Sequence, residues 1–378
     1  MRYVKVLAVP LLLAAAVFTQ GASPEAKGQR QDQTARVQGV SVLITATDSK
    51  GMPLRDLTKS QVSVSDSNQP TETLTVLDAS DLPLDLGIIL LASKDKFGQE
   101  QAAAIELAQK ILRPGKDKAF VVSAAGEKAW ANENIAWLTD TSAVANSIRG
   151  LEKNTGLPDL FDFKLATDAV GVQRHSIQTY NLGTGFSVFD VIWAMMKNDP
   201  QPARRAVVIF RMAAAHSPGF GEKVTRASEE AHNRVISNAQ ALGVAFYAVG
   251  IDDFLNSSDL TRSKIGTDYM PTHAGGNDGD ARAYDQDMAR KMDMQYTAGR
   301  DNVNRIADET GGRCYWTTKK NYPDAVAGIS NELASRYMVS FVPADRSVPG
   351  GIHPIKVQVL GAAHVSAPRA YLVLPPGS

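Results

Sequence analysis

The first candidate functional site in this chain is a polar segment that directly follows a long apolar run. Leu86–Ala92 is almost purely apolar, and Ser93, Lys94 and Asp95 follow at once. Hydroxyl and carboxylate oxygens are the ligands that Mg²⁺ and Mn²⁺ prefer. In open α/β sheets, ligands bind where buried strands end. The segment therefore has the outline of a cation site or a binding surface.

Other residue types that perform catalysis do not form recognisable motifs. No two histidines stand four residues apart with a nearby Glu, as in helical zinc motifs. There is no Gly-x-Ser-x-Gly elbow and no phosphate-binding loop with Gly-Lys-Ser/Thr. Each histidine is interpreted as a surface or loop residue: His175, His216, His232, His273, His353 and His364.

Two further features have structural interpretations. The run from Asn277 to Asp280 is acidic, but it lacks the alternating spacing and closing Glu of a calcium loop, so it is interpreted as a solvated turn. Cys314 is the single cysteine of the chain, and its Gly311-to-Trp316 setting is typical of a turn that enters a strand. It is predicted to be a small buried apolar residue, not a nucleophile.

Composition excludes some partners, and the first residues indicate export. Lys plus Arg and Asp plus Glu number 40 each in 378 residues, with no long basic run, which argues against nucleic acid as a partner. Residues 1–22 combine Arg2 and Lys5 with a short apolar stretch, as a secretory signal peptide does. The alternative is an uncleaved N-terminal anchor. Residues 23–36 are polar and are predicted to form a flexible leader.

The residue patterns predict a central α/β domain between segments rich in strands. Residues 37–80 contain three or four strand patterns and no helix pattern, which predicts a small β module. Residues 82–336 alternate strands with amphipathic helices, which predicts a doubly wound, mostly parallel sheet with helices on both faces. Residues 337–378 again carry strands, and one interpretation is that they pack with residues 37–80.

Two long excursions interrupt the predicted α/β domain, at 153–185 and 252–300. Loops of such length in compact domains are often functional or disordered. The second contains four methionines that fit two interpretations equally well. These methionines are Met270, Met288, Met292 and Met294. They either provide adaptable protein contacts or fill the core, and Asp287–Met294 is then a short amphipathic helix that packs back onto the sheet.

The order of several segments resembles the von Willebrand factor type A family. The first strand, the central strand, a helix–Gly–strand segment and a further signature match in that order: Leu82–Leu91, Arg204–Phe210, Ala241–Ile251 and Ile306–Arg313. With its flanking strands, from about residue 37 to 374, the chain is similar to the von Willebrand A-related proteins abundant in acidobacteria. The resemblance implies a Rossmann-like fold and an adhesion or scaffold role.

The same resemblance implies where a divalent cation would be held. The family supplies Asp-x-Ser-x-Ser after the first strand, a Thr from a middle loop and an Asp after the central strand. Here those positions fall on Leu91, Ser93, Asp95, Phe186 (or Thr184 if the loop shifts) and Met212. Apolar side chains thus replace both expected Asp residues, and Arg211 brings a positive charge beside them. We therefore expect no metal and no other cofactor, with Ser93 and Asp95 capping a helix or facing water.

The sequence favours an exported, non-catalytic protein-interaction module over two alternatives. The predicted contact residues are Ser93, Lys94, Asp95, Arg211 and His216, with an unidentified protein as partner. The alternatives are a hydrolase or other enzyme on the α/β sheet and a structural component of the cell envelope. The choice between periplasmic, secreted and envelope-attached forms stays open, as does the oligomeric state.

Overall fold

The computed structural model describes residues 39–90, 97–123, 135–151, 188–197, 203–211, 222–251, 301–317, 321–344 and 351–372. The strands are β1 (Val40–Thr47), β2 (Val62–Asp66), β3 (Gln69–Pro70), β4 (Thr73–Asp78), β5 (Leu84–Leu90), β6 (Lys118–Ser123), β7 (Arg204–Arg211), β8 (Val244–Ile251), β9 (Cys314–Thr317), β10 (Tyr337–Phe341), β11 (Ile352–Val359), β12 (His364–Ser366) and β13 (Ala370–Leu372). The helices are α1 (Phe97–Ile111), α2 (Thr141–Arg149), α3 (Val188–Lys197), α4 (Glu222–Leu242), α5 (residues 301–309) and α6 (Tyr322–Ala334).

Five strands form a parallel sheet in the order β6-β5-β7-β8-β9. All seven residues of β5 are buried, because helices cover the sheet on both sides. The strand that comes first in the chain, β5, lies between β6 and β7. The direction in which strands are added therefore reverses between β5 and β7, which makes this the topological switch point of the sheet.

Helices cover both faces of this sheet, which confirms the predicted doubly wound α/β fold. On one face, α1, α2 and α6 pack against the side chains of Leu86, Ile88 and their neighbours. On the other, α3, α4 and α5 pack against Ile89, Phe120 and Val207. Within the described ranges, no helix is both long and apolar enough to cross a membrane.

Two antiparallel sheets have four strands each, and each sheet contains strands from both ends of the described chain. Their orders are β12-β1-β10-β4 and β13-β11-β2-β3. The side chains that fill their shared core are apolar and come from residues 42–64 and 337–371: Val42, Ile44, Ala46, Leu57, Val62, Val64, Tyr337, Val339, Phe341, Ile355, Val359 and Tyr371. The α/β domain is thus inserted between strands that pair with one another.

A buried ionic network lies where the chain passes from β4 into β5. The Asp117 carboxylate accepts hydrogen bonds from the Arg113 guanidinium at 2.7 and 2.8 Å and from the Leu84 backbone N–H at 2.8 Å. Arg113 also donates to the Ser80 carbonyl oxygen, and Arg204 donates to that of Leu82. Arg204 donates as well to the Leu333 carbonyl oxygen at the end of α6. The network fixes the connecting segment to β7 and α6.

Two local predictions near β6 have different outcomes. The residue pattern of 129–138 predicts a strand, and residues 129–134 of it lie outside the described residues. Leu138 itself forms a single antiparallel bridge with Ala119, through N–H···O contacts of 2.7 and 2.8 Å, and residues 135–137 are not in a strand. The residue types predict either Asp140 or Thr141 as the cap of the next helix. The structure has Asp140, whose carboxylate accepts the Ser142 N–H at 3.0 Å.

Candidate functional site

The carboxyl edge of the parallel sheet is the candidate site. We use this term for the edge at which β5 to β9 end, at Leu90, Ser123, Arg211, Ile251 and Thr317. Because all five strands are parallel, the chain leaves the sheet on this edge after each of them. Open α/β sheets bind ligands at this edge beside the switch point, which here lies between Leu90 and Phe210, a pair in register.

The structure describes little of the predicted contact set. Ser93, Lys94, Asp95 and His216 lie outside the described residues. Arg211 is the last residue of β7, where its backbone pairs with Gly250 of β8. That register places Arg211 at the carboxyl edge, one strand from β5.

The ends of β5 and β7 fix which residues come first beyond the sheet. β5 ends at Leu90 and β7 at Arg211, so Leu91 and Met212 are the next residues in sequence. Neither side chain carries an oxygen. Mg²⁺ and Mn²⁺ require hard oxygen ligands in near-octahedral geometry. The residue types directly after these two strands therefore do not fit the cation that the family resemblance implies.

Glu100 is a residue near this edge that sequence reasoning missed. It lies in the first turn of α1, ten residues after the end of β5, and its side chain is 0% exposed. A carboxylate in the first turn is stabilised by the positive end of the helix dipole. The signal that could have revealed it is its spacing of three, four and seven residues from Ala103, Ala104 and Leu107, which are all buried.

An aromatic ring, that of Trp316, packs over β8 near the carboxyl edge. The half-buried Trp316 ring covers Gly250, and a Cβ at Gly250 would clash with it. The indole Nε1 donates a hydrogen bond of 2.8 Å to the Asn304 Oδ1 of α5. A glycine at this point of β8 is therefore a packing requirement, and it places an aromatic side chain at the edge.

The prediction that every histidine lies on the surface or in a loop is wrong for two of them, because His232 in α4 is 4% exposed and His353 in β11 is 7% exposed.

A second group of buried titratable residues forms a network that links α6 to the sheet. The Glu332 carboxylate accepts hydrogen bonds from the Tyr315 hydroxyl at 3.0 Å and pairs with the Arg313 Nε at 3.1 Å. Arg336 donates to the Tyr247 hydroxyl at 2.9 Å. Burial raises the pKa of Tyr247 to about 12, and burial followed by the Glu332 charge raises the pKa of Tyr315 further. Both phenols therefore stay protonated, Tyr315 as a donor to Glu332 and Tyr247 as an acceptor from Arg336.

No cluster of three or more His, Cys, Asp or Glu side chains suited to a metal ion occurs among the residues that the structure describes. Cys314 is partly buried in β9, in the strand that the sequence predicted for it.

No protein-family model and no curated protein matches this sequence. The fold is similar to several solved structures. One is a von Willebrand factor type A protein from Catenulispora acidiphila, at 8% identity over 91% of this chain and 76% of that chain, with a TM-score of 0.38. Another is proximal thread matrix protein 1 from the mussel byssus, described with a zinc-occupied MIDAS motif, at 8% identity over 70% of this chain and a TM-score of 0.35.

A third similar structure is the pilus adhesin SpaC from Lactobacillus rhamnosus GG, at 6% identity over 82% of this chain, with a TM-score of 0.39. This chain spans 48% of the mussel protein and 47% of SpaC. The similar structures thus include von Willebrand factor type A domains, the family that the sequence resembles.

Proposed function

We propose that the chain is an exported, non-catalytic module of the adhesion or scaffold type, which binds a protein partner through the carboxyl edge without a bridging metal. One observation carries this proposal. The two strands that flank the switch point end at Leu90 and Arg211, and the residues that follow them, Leu91 and Met212, carry no ligand oxygen. The fold provides an edge at which a partner can bind, and the residues that follow these two strands lack the oxygen ligands that a cation needs.

The lengths of the connections support a binding role for this edge. The segment after β8 runs for 49 residues, 252–300, before α5 begins, and it starts at the carboxyl edge. The segments after β5 and β7 start there too. Binding residues are concentrated in loops that a rigid scaffold positions. The sequence provides charged residues after these strands, Arg211, Lys94 and Asp95, for pairing with a protein surface.

The charge of Arg211 also supports metal-independent binding. A guanidinium stays protonated at physiological pH and repels a divalent cation in its neighbourhood. A cation at this edge would exchange bulk water for few oxygens, next to a strand that ends in an arginine. We therefore infer that shape, apolar contacts and Arg–Asp pairs carry recognition.

The experiment is a capture of partners from native envelope extract on the immobilised full chain, with and without EDTA. We expect mass spectrometry to identify the same partner in both samples. The double variant Lys94→Glu and Arg211→Glu should reduce its recovery at least tenfold. The matched control is Lys356→Glu, a charge reversal at an exposed position of β11 that is far in sequence from the carboxyl edge.

Two results would contradict the proposal. Loss of the partner in EDTA would show that a cation is required. Equal loss in the Lys356→Glu control would place the binding surface elsewhere or show a nonspecific charge effect. Circular dichroism of all variants verifies that each is folded before capture.

A further inference from the structure

The outer strand β4 has features that set it apart from the other outermost strands of the two antiparallel sheets. In the described part of the chain, these strands are β12, β4, β13 and β3. β12 and β13 have three residues each, and β3 has two, one of which is Pro70. Short length and proline are devices that block edge pairing. β4 has six residues and contains neither proline nor lysine.

The register of β4 shows which of its backbone groups face outward. The Ala79 N–H donates to the Arg336 carbonyl oxygen at 2.8 Å, so this pair is of the hydrogen-bonded type. Bonded and non-bonded pairs alternate in an antiparallel ladder. Leu77 and Thr75 therefore bond to β10, opposite Met338 and Ser340. The N–H and C=O groups of Val76 and Asp78 consequently point to the open side.

An apolar row leads to this open edge. Leu43 of β1, Met338 of β10 and Leu77 of β4 are direct cross-strand neighbours. They lie on the face opposite the core, because the adjacent residues Val42 and Val339 are in the core. Leu77 is 51% exposed at the end of the row. An added strand with an apolar side chain opposite Leu77 would extend this row.

Acidic side chains flank the edge. Glu72 precedes β4 with its side chain 68% exposed, Asp78 ends the strand, and Asp81 follows with its side chain 99% exposed. Lys59 and Lys116 approach Glu72 and Asp81 at 3.9 and 3.4 Å. Such exposed pairs contribute little, and in each pair the carboxylate is the more exposed partner, at 68% against 55% for Lys59 and 99% against 41% for Lys116. Arg113 and Arg204 also act on Asp81 and Asp78, but both contact the buried Asp117 carboxylate, so the most exposed charges along the edge are acidic. A second copy of the chain would bring further carboxylates to this edge, so charge favours a basic occupant.

We infer that β4 is a docking edge for an extended protein segment that adds as a fifth strand, with alternating apolar residues between basic residues. The backbone of the segment bonds to Val76 and Asp78, its apolar side chains continue the row at Leu77, and its basic ends face Glu72 and Asp78. This mode gives affinity through main-chain hydrogen bonds and specificity through alternate side chains. It is separate from the carboxyl edge.

The probe is a synthetic peptide of alternating Val and Thr between pairs of Lys, measured by fluorescence anisotropy against the full chain. The same peptide with Glu in place of Lys should bind at least tenfold more weakly. The variant Val76→Pro removes the outward N–H at a position where an edge strand tolerates proline. It should weaken binding at least tenfold, whereas Val76→Thr, which keeps the N–H, should not.

Hydrogen exchange on the unmodified chain gives a readout that does not depend on the variants folding. The peptide should slow exchange of the Val76 and Asp78 amides at least tenfold, while the Thr75 and Leu77 amides are protected already by β10. Absence of binding, unchanged exchange at Val76, or equal binding of the Glu peptide would overturn the inference. So would a dimer in sedimentation experiments that Val76→Pro converts to monomer, since a second copy would then be the occupant.

Discussion

Asp85 and Asp117 lie at the starts of neighbouring strands, yet the pKa values of their carboxyl groups shift in opposite directions. Burial would raise the pKa of Asp117, but hydrogen bonds from the Arg113 side chain and from backbone N–H groups outweigh it and lower the pKa. Asp85 is 1% exposed, with the Lys118 Nζ at 3.7 Å and the Arg205 Nε at 3.8 Å. There burial dominates and raises the pKa. The two pKa values shift in opposite directions because the hydrogen bonds to Asp117 outweigh its burial, whereas the interactions of Asp85 do not.

The first prediction concerns Asp117→Asn. The carboxylate is fully buried between Arg113 and Arg204, so the substitution leaves two guanidinium groups without their shared anion. Removing one partner of a buried ion pair costs about 3 kcal/mol or more. We expect the free energy of unfolding in urea to fall by about 3 kcal/mol. Asp81→Asn, at an exposed ion pair nearby, is the control and should cost less than about 0.5 kcal/mol.

The same network has a defined pH dependence. Because folding lowers the pKa of Asp117, its ionised form adds stability above the ordinary value of 3.8, and this contribution is lost as pH falls through the lowered pKa. In Asp117→Asn, that loss of stability on acidification should be absent. An unchanged acid profile would show that Asp117 is not a source of the pH dependence.

The second prediction concerns the titration of Asp85. Because folding raises its pKa above 3.8, the folded state binds the proton more tightly, and stability falls as pH rises from 3.8 through the raised pKa. Carbon-13 NMR of the Asp85 carboxyl group should give a midpoint above 3.8. In Asp85→Asn, the corresponding slope of stability against pH should vanish. A midpoint below 3.8 would mean that Lys118 and Arg205 outweigh burial.

At the scale of the elements, periodicity predicted the α/β domain well because its helices are amphipathic and its strands are buried. For example, the residue pattern predicts a helix over 222–242 followed by a strand over 244–250, and the structure has Glu222–Leu242 and Val244–Ile251. The ionic network escaped prediction because its members, such as Arg113 and Arg204, are about 90 residues apart in sequence. Glu100 escaped because its burial depends on tertiary packing around α1.

The turn between α5 and β9 gives a physical reason for the two glycines of the Ile306–Arg313 segment. Gly311 has a φ of +77°, a backbone angle that residues other than glycine adopt only at a cost in free energy. Gly312 packs against the Phe246 backbone so closely that a Cβ would clash with its carbonyl group. Both glycines belong to the Ile306–Arg313 segment that resembles the von Willebrand A family.

The third prediction follows from this turn. Gly312→Ala should destabilise the fold by about 2 kcal/mol or more, because backbone cannot move aside as a flexible side chain can. Gly98→Ala in α1 is the matched control. A Cβ there meets nothing within 4 Å, so alanine should stabilise the helix by up to about 1 kcal/mol. Equal thermal stability of Gly312→Ala and the parent would refute the close approach.

At the scale of the whole molecule, the chain builds a scaffold whose two ends pair. β1 pairs with β10 and β12, and β2 pairs with β11, between residues that are about 290 to 320 positions apart in sequence. Alternation in the sequence indicated strands in these regions but could not give their registers, since pairing between distant segments leaves no local pattern. The predicted contact residues Ser93, Lys94, Asp95 and His216 remain predictions, because the fold fixes where the chain leaves the sheet and not what those side chains contact.

If the carboxyl edge binds its partner without a cation, calorimetric titration of the full chain with Mg²⁺ and Mn²⁺ should show no saturable binding up to millimolar concentration. Any weak binding should be unaffected by substitution of Ser93 or Asp95. Equimolar binding of either ion that is abolished in the double variant Ser93→Ala and Asp95→Ala would contradict this prediction.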